Sequence, residues 1–280
     1  MTSAPGLVIS ASDPRFPRRL NELPRPPQQL WVTGRLPAAD ERVVAIVGSR
    51  GATATGYQKA QAIAAAVGQA GWSVISGGAL GIDAAAHLGA LQAGAPTFAV
   101  LGCGVDVVYP DRHADLFARL EMAGGLISEY PMGTPPRAGQ FPLRNRLVAA
   151  LAEATVVIDA RTRSGALITA ARARELGRKL LAVSGSRGAD WLIGSGAAVP
   201  VTEPAEVLAV LAGAPAKAAV VPEALRPLVD LLRAGPESPA AIAERTGQSL
   251  PAVLSALGEA EMAGFIQRVA GGRYEVPRAG

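Results

Sequence analysis

Cysteine is nearly absent from this chain: Cys103 stands alone among 280 residues. One thiol cannot build an internal disulfide framework, and its isolation fits a reducing, cytoplasmic setting. Histidine is almost as scarce, with only His87 and His113, and two imidazoles with one thiol do not make a convincing metal set. No run of about 20 uninterrupted apolar residues occurs, so no membrane-spanning helix is expected. The first 25 residues carry Asp13, Arg15, Arg18 and Arg19 among several prolines, without the apolar core of a secretory leader. A G-x-x-x-x-G-K-[ST] run and a G-x-S-x-G elbow are both missing, which removes P-loop nucleotide hydrolysis and the serine-hydrolase turn. Lysine is the last shortage. Only Lys59, Lys179 and Lys217 interrupt a set of 27 cations that is otherwise arginine.

Arginine presents a planar fork suited to phosphates and to stacking on bases. A GC-rich coding sequence would also favour arginine, together with the abundant alanine and glycine. Composition does not explain the placement, however. Residues 1–220 hold 21 of the 27 cations and 16 of the 23 acids, an excess of five, whereas residues 221–280 hold six cations and seven acids. The basic surplus belongs to the large N-terminal part of the chain.

Residues 1–40 are rich in proline and arginine and read as an extended arm packed at one edge of the large domain. From 41 to 213 short apolar runs alternate with helical periods. Strands are expected at 43–47, 73–75, 97–101, 126–128, 155–158 and 180–183. Helices are expected at 57–69, 82–92, 113–122, 144–152, 166–176 and 204–211. Apolar runs of this length between helices predict βαβ units and a doubly wound, mostly parallel α/β sheet covered on both faces. A linker is expected at 214–221. Residues 222–280 change rhythm: helices at 223–233, from 238 to about 245 and from 249 to about 262, then strands at 265–269 and 273–276 around Ala270-Gly271-Gly272. Three helices and a hairpin predict a small winged helix.

Four strand-to-helix loops carry the chemistry. The first is Gly48-Ser49-Arg50, where glycine admits a phosphate to backbone amides, the hydroxyl donates and the guanidinium adds charge. A tight turn without ligand would use the same Gly-Ser pair. The second is Ser76-Gly77-Gly78-Ala79-Leu80-Gly81, an anion site at a helix N-terminus. It does not match G-x-G-x-x-G, and no acid ends the second strand to hold a ribose. Asp83 beside it reads as a helix-capping carboxylate or as the orienter of His87. The third is Phe141-Pro142-Leu143-Arg144-Asn145-Arg146. Here the arginines can neutralise phosphates, and Phe141 stacks on a base or belongs to the core. Arg144 and Arg146 cannot share one helix face two residues apart, so at least one is expected to have an internal partner. The fourth is Arg161-Thr162-Arg163-Ser164-Gly165 with Thr169 one turn on. Cys103, between two glycines, reads as a small core residue.

The stretches VAIVGSR, SGGALGIDAAAH, VLGCGVDVVYP, SEYP, FPLRNR, SGALIT and GSGA together resemble the DNA-processing protein A (DprA/Smf) family over nearly the whole chain. The resemblance implies a Rossmann-like domain that binds single-stranded DNA, forms a homodimer and helps load a RecA-type recombinase in transformation or repair, without cofactor or catalysis. It implies DNA contacts at Gly48, Ser49, Arg50, Ser76, Gly77, Phe141, Arg144, Asn145, Arg146, Ser164, Gly165 and Thr169. The chain departs from the family in places. A basic residue common before FPLRNR would fall near Ala138, with Arg137 its nearest substitute. Ser184-Gly185 stands where Pro-Gly is usual, and only the short arm stands where many members carry a helical N-terminal domain.

The rival is a nucleotide-cleaving enzyme, since phosphoribohydrolases of the "lonely guy" class resemble the same domain. Their P-G-G-x-G-T-x-x-E motif aligns its threonine with Thr169, which puts Arg172 at the catalytic acid. A cation cannot stabilise an oxocarbenium-like centre. The third helix of the small domain, 250–262, has no cation and carries Glu259 and Glu261. It is expected to contact protein and not to read duplex DNA.

Overall fold

The computed structural model describes residues 6–162, 164–213, 221, 223–262 and 265–276. Fifteen of its elements follow one another through the large domain in the order strand β1 (Leu7–Ser10), β2 (Gln29–Gly34), β3 (Val43–Gly48), helix α1 (Ala54–Gln69), β4 (Ser73–Ser76), α2 (Ile82–Gln92), β5 (Thr97–Leu101), α3 (Ala114–Ala123), β6 (Gly125–Ser128), α4 (Gln140–Leu151), β7 (Ala154–Ile158), α5 (Gly165–Glu175), β8 (Lys179–Val183), α6 (Arg187–Gly194) and β9 (Val199–Val201). A last helix, α7 (Pro204–Leu211), closes the domain. The sheet runs β1-β2-β6-β5-β4-β3-β7-β8-β9. It is parallel from β6 to β9, with β1 and β2 added antiparallel at one edge.

Alternation along β3 shows why both faces need helices. Val43, Ala45 and Val47 belong to one core with Leu147, Val148 and Ala170. Val44 and Ile46 belong to the other with Ile63, Val67 and Ile82. A strand buried on both faces reads as a continuous apolar run, as β3 does. From β3 the chain winds outward through β4, β5 and β6, then crosses back over α4 to β7 and winds the other way. The loops after β3 and β7 therefore diverge, and such a switch point is where open α/β sheets hold ligands.

Three expectations change. The segment 1–40, read as an arm, supplies two strands and a short 3-10 turn (Arg18–Glu22) to the sheet edge. Helix α4 begins at Gln140, four residues before the expected start. Pro142 is accommodated there, because in a first turn its missing N–H has no helical partner to lose. Finally, α6 and β9 were not foreseen, because Gly188 and Gly194 interrupt the helical signal of α6 and β9 is a three-residue edge strand containing Pro200.

The C-terminal unit has its own core of Leu228, Leu232, Ile242, Leu257, Ile266 and Tyr274. It comprises α8 (Arg226–Arg233), α9 (Pro239–Thr246), α10 (Leu250–Met262) and the antiparallel strands β10 (Gln267–Val269) and β11 (Arg273–Glu275). Ser238 caps α9 by accepting from the Ala241 amide at 3.3 Å. Most of the expected linker, 214–220, lies outside the described residues. Among the described residues no helix is long and apolar enough to cross a membrane.

Candidate nucleic-acid interface

The carboxyl ends of β3, β4 and β7 and the starts of α4 and α5 enclose a cleft of about 1030 Å³. Ten of the twelve expected site residues line it: Gly48, Ser49, Arg50, Gly77, Phe141, Arg144, Asn145, Ser164, Gly165 and Thr169. Ser76 and Arg146 do not.

Glycines here are required by packing as much as by any ligand. A Cβ on Gly48 would overlap the Ile158 carbonyl of β7 and the Ile82 side chain. Gly81 has φ +77°, and a Cβ there would overlap the Ser49 and Arg50 carbonyls. The first and second loops thus touch back to back, joined by the Ile82 amide donating to the Ser49 carbonyl at 3.1 Å. Arg50 is left exposed at the rim. Its guanidinium lies 5.0 Å from the centroid of the half-buried Phe141 ring, and that ring is 5.5 Å from Tyr109. Phe141 rests on Gly102, where any Cβ would crowd it. One face of Phe141 packs while the ring also lines the cleft, so it is not a fully buried core residue.

The second loop differs from expectation. Asp83 Oδ2 accepts from the Gly77 amide at 3.1 Å and the Ala79 amide at 3.3 Å. It neither caps its own helix nor orients His87, whose Nδ1 pairs with Thr97 Oγ1 at 2.7 Å. The carboxylate fills the slot that the exposed amides were read as offering to an anion. Ser76 is also inward: its hydroxyl donates to the Ile46 carbonyl at 2.6 Å in full burial.

Arg144 covers the second loop from above. Its Nη1 donates to the carbonyls of Gly77 and Val100, and the residue is 4% exposed. Burial lowers its pKa to about 10, opposed by the Asp83 charge and reinforced by Arg50. Burial raises Asp83, opposed chiefly by Arg144. Two residues on, Arg146 turns to another side of α4 and pairs with Glu129, with Nη2 2.6 Å from Oε2. Helical geometry had required one internal partner between them; both have one.

At the start of α5, Ser164 occupies the N-cap without a side-chain cap bond. Its hydroxyl is buried and finds no partner among the described residues. Gly165 opens onto free space, with Asn145 Nδ2 as its nearest neighbour at 3.6 Å from a built Cβ. Asn145 Nδ2 donates to the Gly165 carbonyl at 3.0 Å, which clasps α4 to α5. An open helix N-terminus in a cleft that Arg50 also lines suits an anion.

Three lining residues with aromatic or charged side chains were missed: Tyr109, Glu175 and Trp191. Tyr109 lies in the VLGCGVDVVYP stretch, where an exposed aromatic was the available signal. Ala138 lines the cleft and Arg137 does not, so the family's basic residue has no substitute there. Trp191 of α6 and Glu175 of α5 also line it. Glu175 is paired with Arg172 at 2.6 Å, both sides well exposed.

An open, mostly parallel α/β domain with an anion-attracting cleft at its switch point, joined to a winged helix, defines a class of ligand-holding proteins. The family model for DNA recombination-mediator protein A matches residues 7–212, and that for the DprA winged helix domain matches residues 212–272. The chain belongs to the DNA-processing protein A (DprA/Smf) family. Protein Smf of Escherichia coli (strain K12) is 38% identical over 97% of this chain and 78% of its own length. The X-ray structure of DNA processing protein A from Streptococcus pneumoniae superposes with a TM-score of 0.67 at 35% identity, covering 74% of this chain and 75% of that one. The Helicobacter pylori protein, described for its single-stranded DNA binding mode, gives 0.66 at 27% identity, covering 76% and 98%.

Proposed function

We propose that the cleft holds the backbone of single-stranded DNA, and that the chain acts in DNA uptake and recombination without catalysing a reaction. The observation that carries this reading is the open N-terminus of α5, with its unpartnered Ser164 hydroxyl, in the same cleft as the exposed Arg50 beside Phe141. Amide and hydroxyl donors there meet a phosphate, and the exposed aromatic edge meets a base. The single-stranded DNA binding of the Helicobacter pylori relative supports the same ligand. Protection of incoming or resected strands, loading of a RecA-type recombinase and a homodimeric state complete the proposal, in a cytoplasmic setting consistent with the single buried thiol.

Against nucleotide cleavage stand Arg172 at the acid's place and Glu175 tied to it. A nucleoside monophosphate incubated with the protein should therefore remain intact. Oligo-dT should bind strongly at low salt and release as salt rises. Arg50→Ala should weaken that binding about tenfold and flatten the log–log salt slope by about 0.7. Circular dichroism should stay unchanged, because Arg50 makes no ion pair among the described residues. Unaltered binding by this variant would move the site elsewhere. Arg146→Glu is a poorer probe, since it sets a second carboxylate beside Glu129.

The wing is assigned to a protein partner. Helix α10 carries no cation but has Glu259 and Glu261, so it would meet phosphates with the wrong sign. Deleting residues 221–280 should leave oligo-dT affinity within about threefold in a gel shift, and complete loss would place the wing in the DNA site.

A further inference from the structure

We propose that Trp191 forms a second nucleobase-stacking subsite at the α6 end of the cleft, with Arg187 one turn away outside the lining, extending the strand path that starts at Arg50. The inference rests on the single-stranded DNA reading of the cleft and adds a base-recognition site to it.

Helix α6 buries Gly188, Ala189, Leu192 and Ile193. Its outer face presents Trp191, 39% exposed, and Arg187 one turn before it. Residues four apart lie one above the other on a helix, so the indole and the guanidinium share a face. Among the described residues no carboxylate pairs with Arg187. A large aromatic usually sits inside, yet this indole lines the same cleft as Gly48, Ser164 and Ile168.

The helix is also held in place. The Gly188 amide donates to the Ala160 carbonyl at 2.8 Å, and a Cβ on Gly188 would crowd the Ala160 and Arg161 carbonyls. The Ala160 amide donates to Ser186 Oγ at 3.0 Å, and the Gly185 amide donates to Asp190 Oδ1 at 2.9 Å. Ala160 lies just past the strand that feeds the Ser164 loop, so the stacking face is fixed relative to the phosphate-holding donors. An exposed aromatic rigidly mounted on a cleft wall takes a base by stacking, and an unpaired guanidinium one helical turn away, just outside the lining, meets a neighbouring phosphate by charge.

Tryptophan fluorescence reads this site directly. Trp72 is buried beneath Arg42 at 3.9 Å, and Trp31 lies in strand β2, between β1 and β6. An oligo-dT of about 12 nucleotides should quench emission on binding the full chain. Trp191→Leu should abolish the quench and weaken oligo-dT roughly tenfold. Trp191→Phe, which keeps a ring, should recover most of the affinity. An abasic strand of equal length should bind wild type and both variants alike.

Persistent quenching in Trp191→Leu, or unchanged oligo-dT affinity, overturns the subsite. So does an equal loss on the abasic strand, which would make Trp191 an anchor for α10, the wing helix that approaches α6. A wild-type protein that binds neither strand overturns the reading of the cleft itself.

Discussion

Arg144→Met is expected to unfold at clearly lower denaturant than wild type, with stability reduced by about 3–5 kcal/mol. The loss has two sources. The carbonyls of Gly77 and Val100 lose a charged donor in full burial, and the Asp83 carboxylate loses the cation that offsets its desolvation. The pH dependence separates this from simple loss of packing. Asp83 already has a raised folded-state pKa, and removing Arg144 raises it further. A carboxyl that binds its proton more tightly when folded favours the folded chain at low pH, and that advantage fades as pH rises through the folded value. The gap between variant and wild type should therefore be widest near neutrality and should narrow as pH falls toward 3.8, the ordinary aspartate value. Chemical denaturation of both proteins across that range measures it. A gap that stays constant with pH would show that Asp83 does not respond to Arg144.

This pair also shows where sequence reasoning reached and where it stopped. Strand-to-helix loops were readable because buried parallel strands are unbroken apolar runs ending in glycine, and ten of the expected residues do reach one cleft. Which way each side chain points was not. An acid in the first turn of α2 looks like a helix-end charge whether it faces solvent or, like Asp83, curls back onto the Gly77 and Ala79 amides. Ser76 and Gly77 are neighbours, yet the pleat sends the Ser76 hydroxyl onto Ile46 while the next residue reaches the cleft. The faces of Arg144 and Arg146 follow from their contacts across the fold, with Gly77, Val100 and Glu129, which local sequence does not show. Trp191 sits on a helix whose Gly188 and Gly194 weaken its helical signal. Each miss is a contact made across the fold by a residue whose local pattern allowed two orientations.

The wild-type protein is expected to lose about 3 kcal/mol of stability to one histidine between pH 6.5 and pH 4. His87 is fully buried, with Nδ1 on Thr97 and no partner for Nε2 among the described residues. Burial pushes its pKa down to about 3, with His113 and then Arg144 adding to the shift. Below pH 6.5 the unfolded chain takes up a proton that the folded chain refuses. The contribution is present in full above 6.5 and is lost as pH falls toward 3. Urea midpoints for wild type and for His87→Leu/Thr97→Val, which removes both hydrogen-bonding partners together, isolate this from the carboxylates. The double variant should show a shallower decline over the same range, and parallel curves would refute the assignment. The location matters for the cleft. His113 pairs with the Gly78 carbonyl and Arg144 with that of Gly77, so a charge forced onto His87 repels the Arg144 cation that holds the second glycine loop. Acid should loosen the cleft floor before the rest of the sheet, and amide hydrogen exchange at Gly77–Gly81 would register it as the first local opening.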